Sequence, residues 1–233
     1  MEEVGAATDV LSPSFAWFGK LPSAGDFISR RMPYAVQQFW DRWCAASMES
    51  LKERNPVSGW GLWGNMPKWA FLLPAQHGVP FGQLGVLTPS CDRVGRNFPF
   101  LVTIALTEDN FAAIVPRAGL IGLAFGAAIT EAQMSRSHVE TLDLQLASTL
   151  AQQLAHEIPE GDGDVTLPNG VSPLTLPWPE LGKNFDLHGT ESYWWSVPPA
   201  KTGFRARTHN GPLTAYHFTT LFRRRGVNGA DFR

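Results

Sequence analysis

Residues 83–107, QLGVLTPSCDRVGRNFPFLVTIALT, decide the fold. The two ends of this stretch, 83–88 and 98–107, are apolar and rich in β-branched and aromatic side chains, which predicts two strands. The segment between them contains prolines and a glycine, so the backbone is expected to turn there. A third strand is predicted at 69–73. Because the connections are short, the sequence indicates a sheet that is at least partly antiparallel.

A second stretch, FGKLPSAGDF at 18–27, has the same character as the segment between those two strands. It follows a short aromatic strand predicted at 15–19. In both stretches, charged residues stand between glycine, proline and aromatic residues at the end of an apolar strand. Asp26 and Asp92 fit Asx-type turns, and the glycines nearby permit a positive φ. The sequence therefore predicts two charged turns.

The charged side chains of these turns have two interpretations. In the first, an arginine pairs with a carboxylate and only holds the turns together, as ionic networks commonly do. In the second, the charges converge at one sheet edge and offer a bidentate fork to the carboxylate or phosphate of a partner. The candidate partner-binding or ligand-binding residues are Lys20, Asp26, Arg30, Asp92, Arg93 and Arg96.

Three long segments show helical features. Residues 33–54 begin with a proline in the first turn and repeat apolar residues every three or four positions. Residues 110–128 are largely apolar, and residues 137–157 begin with Ser137, which together with Glu140 fits a capping box. Helices on both faces of a sheet would bury these apolar faces. The predicted fold is therefore an α/β three-layer α/β/α sandwich with a mixed, partly antiparallel sheet.

The rest of the chain is predicted to complete a single domain spanning 14–233, after a flexible tail at 1–13. Residues 159–184 are rich in proline and glycine, which predicts a long irregular loop. The remaining predicted elements are strands at 193–197 and 204–207 and a helix at 213–223.

Composition disfavours several classes of partner. The chain has 233 residues, of which 44% are hydrophobic and 17% charged, so a sizeable core is expected. A net charge of −2 gives no field that would attract nucleic acid or an anionic membrane surface. The N-terminal residues are acidic and lack the apolar run of a secretion signal. We therefore expect a cytoplasmic protein without membrane insertion.

Common catalytic and cofactor motifs are missing from the sequence. Neither the two cysteines nor the six histidines have metal-ligand spacing, so no metal is expected. A GxGxxG pattern at 59–64 follows a predicted helix rather than a strand and carries two tryptophans, which disfavours a dinucleotide site. No phosphate loop, GxSxG elbow or HExxH helix occurs. The sequence therefore predicts no cofactor.

The chain has nine tryptophans, which is many for its length. Trp40, Trp43 and Trp69 fit core positions. Others stand in or near predicted loops, where large rings either pack at the edge of the core or anchor a protein interface. These are Trp60, Trp63, Trp178, Trp194 and Trp195.

Taken together, these motifs resemble the TagF (ImpM) family associated with bacterial type VI secretion. The resemblance covers mainly the first half of the chain and is looser beyond it. It rests on WFGKLP at 17–22 with Gly25-Asp26-Phe27 and Arg30, on Trp40, Trp43, Trp69 and Phe71, and on PS-x-DRVGR-x-FP at 89–99.

The resemblance implies a three-layer α/β/α domain without established catalysis. It also implies a cytoplasmic, post-translational repressor of type VI secretion that binds the system's forkhead-associated scaffold protein and blocks assembly. The competing hypothesis is an enzyme or a small-ligand or phosphate sensor. There, Lys20, Asp26, Asp92 and Arg96 would line one cleft as acid, base and anion clamp.

Overall fold

A seven-stranded sheet forms the centre of the molecule. The computed structural model describes residues 14–54, 63–75, 79–155, 184–197 and 205–222. Within these residues, the strand order across the sheet is β2-β1-β5-β4-β3-β6-β7. The strands are β1 (Phe15–Gly19), β2 (Ile28–Arg30), β3 (Lys68–Leu73), β4 (Gly82–Thr88), β5 (Phe100–Leu106), β6 (Glu191–Val197) and β7 (Ala206–Asn210).

Five α-helices accompany the sheet in the described part of the chain. Short 3₁₀ turns occupy Trp63–Asn65 and Val115–Arg117. The helices are α1 (Tyr34–Arg54), α2 (Glu108–Ile114), α3 (Ala118–Ser135), α4 (Val139–Ala155) and α5 (Ala215–Leu221).

Most predicted elements are confirmed, with four differences. The single helix expected at 110–128 is two helices, because Pro116 lies in the 3₁₀ turn that separates them. The predicted capping box is wrong: α4 begins at Val139, and the Ser137 hydroxyl hydrogen-bonds the Ser135 hydroxyl instead. Strand β2 was not predicted, and β7 lies further along the chain than 204–207.

All neighbouring strands that the structure describes are antiparallel. The prediction of a mixed sheet is therefore wrong. Strands β3, β4 and β5 follow one another as consecutive neighbours with short connections. The connection from β5 to β6 returns the chain to the end of the sheet that it left, whereas the connection through α1 takes it from the end of β2 to the opposite end, where β3 begins. Gly19 at the end of β1 pairs with Phe100 at the start of β5.

Side chains of the strands alternate between two core clusters. In β3, Trp69 and Phe71 belong to the cluster that also contains residues of α1 and α5, while Ala70 and Leu72 belong to the cluster built with α3 and α4. This alternation follows from the two-residue period of a strand. The fold is therefore α/β, with helices contributing to both clusters.

Several tryptophans expected in loops are core residues. Trp63, Trp194 and Trp195 are almost fully buried. The Trp63 Nε1 donates to the Ser90 carbonyl at 2.7 Å, and the Trp194 Nε1 donates to the Ser192 hydroxyl at 3.0 Å. All three rings are buried in the core, so they do not serve as exposed interface anchors.

One helical segment, Glu108–Ser135, is long and apolar enough to cross a membrane, with a mean hydropathy of 1.8. Half of it is buried inside the fold. Ile121, Phe125 and Ile129 are fully buried in the core cluster shared with the sheet. Core packing therefore accounts for the apolar character of this segment.

Some predictions lie outside the described residues. These are the tail at 1–13, nearly all of the loop at 159–184, most of the GxGxxG pattern at 59–64, Trp60 and Trp178.

Candidate functional site

The two charged turns meet at one end of the sheet. Gly19 at the end of β1 lies against the chain just before β5, and a Cβ at this position would lie 2.1 Å from the Pro99 carbonyl oxygen. Only glycine permits this approach, and its φ of +133° also excludes other residues. A backbone hydrogen bond from Arg93 N–H to the Ala24 carbonyl, 2.8 Å long, joins the two turns directly.

Five of the six predicted site residues come together here, and we call them the charged-turn cluster. Asp92 is at its centre, and its side chain is fully buried. One carboxylate oxygen accepts hydrogen bonds from the Lys20 Nζ at 3.0 Å and the Arg96 Nε at 2.6 Å. The other accepts from the backbone N–H groups of Val94 and Arg96 at 3.1 and 2.9 Å. The cluster consists of Lys20, Asp26, Asp92, Arg93 and Arg96.

The environment of Asp92 keeps its carboxylate ionised. Burial by itself raises the pKa of this group, but the hydrogen bonds from the Arg96 backbone and from the Lys20 and Arg96 side chains outweigh it. The pKa of Asp92 is therefore held below its usual range. A carboxylate in this state is a poor general base at neutral pH.

The exposed side of the cluster is basic. The Arg96 guanidinium donates to the Gly25 carbonyl at 2.9 Å and lies 3.8 Å from a carboxylate oxygen of Asp26, a largely exposed contact. Arg93 is exposed and forms no ion pair with any carboxylate of the described residues. Val94 beside it is 71% exposed. The tip of this turn therefore presents a cation and an apolar side chain to solvent.

An open groove adjoins the cluster on the α1 side. Its link to the cluster is Phe27, which packs against Phe18 and Phe98 and lies 4.8 Å from the Lys20 Nζ. Although Phe27 takes part in these contacts, 44% of it is exposed. The groove has a volume of about 440 Å³. It is lined by Phe27, Asp41, Ala45, Met48, Glu49, Lys52, Asn97 and Phe98.

The groove residues on α1 were missed in the sequence. Their numbers, 41, 45, 48, 49 and 52, recur every three or four positions, which places them on one helix face. That signal was available. The apolar face of α1 that packs in the core is the stronger signal, and Met48 belongs both to that core and to the groove.

Arg30 does not join the charged-turn cluster, so this part of the prediction is wrong. Its guanidinium donates to Asp143 of α4 at 2.8 Å, together with Arg31. The Trp17 Nε1 also donates to Asp143, at 2.8 Å. Trp17 belongs to the core cluster of α3 and α4, whereas Phe18 belongs to that of α1 and α5. Arg30, opposite Trp17 in the β1–β2 pair, is therefore directed to the α4 side of the sheet.

These contacts make Asp143 a structural clamp between β2 and α4. Burial raises the pKa of this carboxyl, but hydrogen bonds from Arg31, Trp17 and Arg30 outweigh it and hold the pKa below its usual range. The adjacent arginines at 30 and 31 were visible in the sequence. Nothing in the sequence indicated that Asp143, more than a hundred positions away, was their partner.

Other reactive groups in the described residues do not form a catalytic constellation. No group of three or more His, Cys, Asp or Glu side chains among them is placed to hold a metal ion. The Cys44 thiol is buried, and burial followed by the charge of Asp41 raises its pKa far above its usual value. Such a thiol is not a nucleophile at neutral pH.

Comparison with known proteins places the chain in a family. The crystal structure of PA0076 from Pseudomonas aeruginosa PAO1 is similar in fold, with a TM-score of 0.64 and 23% sequence identity over 94% of this chain and 99% of that one. A search of curated proteins finds no significant match. The sequence model of the TagF N-terminal domain, described as type VI secretion system-associated, matches residues 16–154. The chain therefore belongs to the TagF family of proteins associated with type VI secretion.

Proposed function

We propose that this protein is a non-catalytic, cytoplasmic regulator of bacterial type VI secretion. In this proposal it acts after translation as a repressor: it binds a forkhead-associated scaffold component of the system and blocks assembly. Family membership supports the association with type VI secretion. The alternation of the two core clusters supports a three-layer α/β/α arrangement for the whole domain.

In this proposal, the partner binds at the charged-turn cluster. The buried Asp92 holds Lys20 and Arg96 in place, so the two turns form a rigid platform. The side chains of Arg93 and Val94 project from this platform, whereas only their backbone N–H groups take part in its internal hydrogen bonds. Surface arginines beside exposed apolar side chains are favourable contact residues in protein interfaces. The adjoining groove extends this surface along α1 with further apolar and charged side chains.

A catalytic or ligand-sensing role for the same cluster has less support. Both carboxylate oxygens of Asp92 already accept hydrogen bonds, and Lys20 is buried against it. A general acid or base needs a free position facing a substrate. We therefore prefer recognition of a protein surface to chemistry at this end of the sheet.

The decisive experiment is a pull-down of the purified forkhead-associated component with Arg93→Glu. Reversing this exposed charge should abolish retention of the scaffold component, while the melting temperature stays within about 2 °C of wild type. Arg96→Glu is less informative because it would place a second carboxylate against the buried Asp92. A second variant, Ala45→Arg, obstructs the groove from an exposed helix position and should weaken retention without unfolding the protein.

Asp109→Lys is the matched control. This exposed residue lies in the first turn of α2, beyond the end of β5 opposite to the charged turns. Reversing its charge should leave retention unchanged. If Arg93→Glu and Ala45→Arg both still bind, the proposed surface is wrong. If the wild-type protein retains no scaffold component, the proposed partner is wrong.

A further inference from the structure

A second cavity lies far from the charged-turn cluster, between β7 at one edge of the sheet and α5. Its volume is about 310 Å³, at the lower end of the range of small-molecule sites. Strand β1, which leads into the charged turns, is separated from β7 by four strands. The cavity, which we call the histidine cavity, is lined by Arg207, Thr208, His209, Tyr216, His217 and Thr220.

The charged groups of this cavity are all basic. Arg207 and His209 are two positions apart in β7, so both side chains lie on the same face of the strand. The His209 and His217 rings stack with their centroids 4.1 Å apart. None of the lining residues is a carboxylate, and Arg207 forms no ion pair with any carboxylate that the structure describes. Basic groups gathered without a counter-charge favour an anionic ligand.

His217 provides an independent indication of a ligand. It is only 5% exposed, yet its Nε2 has no hydrogen-bond partner among the described residues. The side chain packs on Trp43 and Trp194, which supply no hydrogen-bond acceptor and no charge to this atom. Buried polar atoms are normally satisfied, and the exceptions need an explanation. Because His217 lines the cavity, a bound ligand would supply the hydrogen bond that its Nε2 lacks.

We propose that the histidine cavity binds the phosphate group of a small phosphomonoester. Arg207 and His209 would contact the phosphate oxygens, since a guanidinium is the preferred partner of this group and an imidazolium adds a second charged donor. The Thr208 and Tyr216 hydroxyls lie in the same lining. The Tyr216 ring is 68% exposed and offers an apolar surface for the organic part of the ligand. This inference goes beyond the proposed regulatory role, and it involves none of the residues of the proposed partner-binding surface.

The hydrogen bond of His209 defines which ring nitrogen carries the proton. Its Nε2 lies 2.9 Å from the Pro212 carbonyl oxygen, which only accepts hydrogen bonds. Nε2 therefore carries a proton in the neutral ring, and Nδ1 gains the second proton when the ring becomes charged. The groups that face His209 are Arg207, Tyr216 and His217, and none is an acid that would hold the imidazolium alone. A bound phosphate supplies that negative charge.

The test is a titration with inorganic phosphate, followed through the histidine ring resonances by NMR at constant ionic strength. The His209 and His217 signals, assigned with His209→Gln and His217→Phe, should shift and saturate at pH 6. Affinity should fall about tenfold or more in Arg207→Ala, measured at the same pH as the wild type. Phenyl phosphate should bind more tightly than inorganic phosphate because it also contacts Tyr216.

Arg136→Asn is the matched control, because it removes one exposed positive charge at the end of α3, outside the cavity. The asparagine tolerates the left-handed backbone of this position. The affinity of the Arg136→Asn variant for phosphate should equal that of the wild type. The proposal is overturned if phosphate shifts no histidine signal of the cavity, if Arg207→Ala binds as well as the control, or if acetate binds as tightly as phosphate. Scaffold retention can fail or succeed independently of all these results.

Discussion

The charged-turn cluster and the histidine cavity use ionic groups in opposite ways. In the cluster, the fully buried Asp92 is paired with the two cations Lys20 and Arg96. In the cavity, Arg207, His209 and His217 face one another without a carboxylate among the lining residues. The first arrangement stabilises the fold, whereas protonation of His217 in the cavity opposes it. The comparison shows that a buried carboxylate fixes its cationic partners in place, whereas the basic groups of the cavity have no carboxylate partner among the described residues.

The largest effect should come from removing the carboxylate that balances the cluster. Asp92→Ala leaves Lys20 buried without a counter-charge and frees two backbone N–H groups of its own turn. The melting temperature, measured by circular dichroism, should fall by about 10 °C. Asp26→Ala, which alters only exposed contacts with Arg96 and the Phe27 N–H, should lower it by less than about 2 °C. Equal losses in the two variants would show that burial of Asp92 contributes nothing.

A pH titration of stability should produce the next largest effect. Burial, followed by the charges of His209 and Arg207, lowers the pKa of His217 to about 3 from an ordinary value of 6.5. Between these values the unfolded chain binds the proton and the folded chain does not. The contribution of His217 is therefore complete above pH 6.5 and declines as the pH falls towards 3.

From pH 6.5 to 4.5, this group should remove about 2 kcal/mol from the free energy of unfolding, measured with urea. The decline should be much shallower in His217→Phe, which keeps a ring of similar size against Trp43. The lowered pKa of Asp92 acts below this window: its contribution is complete above the ordinary aspartate value and is lost as the pH falls further. An unchanged slope in His217→Phe would show that His217 is not kept neutral by the fold.

The smallest effect should distinguish the two arginines. Arg96→Ala removes a guanidinium that bonds both Asp92 and the Gly25 carbonyl, and it should lower the melting temperature by about 4 °C. Arg207→Ala removes a charge without a counter-charge in the described residues, so the melting temperature should stay within about 1 °C or rise slightly. Differential scanning calorimetry at pH 7 resolves the difference. A larger loss in Arg207→Ala than in Arg96→Ala would reverse the assignment of the two regions.

The sequence predicted the central part of the fold well because its signals are local. The apolar runs at 69–73, 83–88 and 98–107 each became a strand, and the long periodic segment at 33–54 became α1. Strand β2 was missed because it has only three residues, and none of them is fully buried. For the tryptophans in or near predicted loops, the sequence left core packing and interface anchoring open, because proximity to a predicted loop says little about the depth of a ring.

The candidate site was predicted in part for the same reason. Glycine and proline mark a turn within a few residues, so both charged turns were recognisable, and their meeting follows from the pairing of β1 with β5. Arg30 was wrongly assigned to the charged turns because the face of the sheet on which its side chain lies depends on the pairing of β2 with β1. The groove and the histidine cavity were not predicted, since each combines elements that are distant along the chain.

The sequence by itself determined the family, the strands and helices of the central region, and the two turns that carry charge, since each of these depends on residues close together along the chain. The tertiary structure alone decided that Asp92 is buried between Lys20 and Arg96 while Arg93 remains exposed. It also decided that Arg30 binds Asp143, and that two histidines and an arginine share one cavity. Burial and electrostatic interactions act through space, so residues far apart in the sequence acquire their partners only when the sheet brings them together.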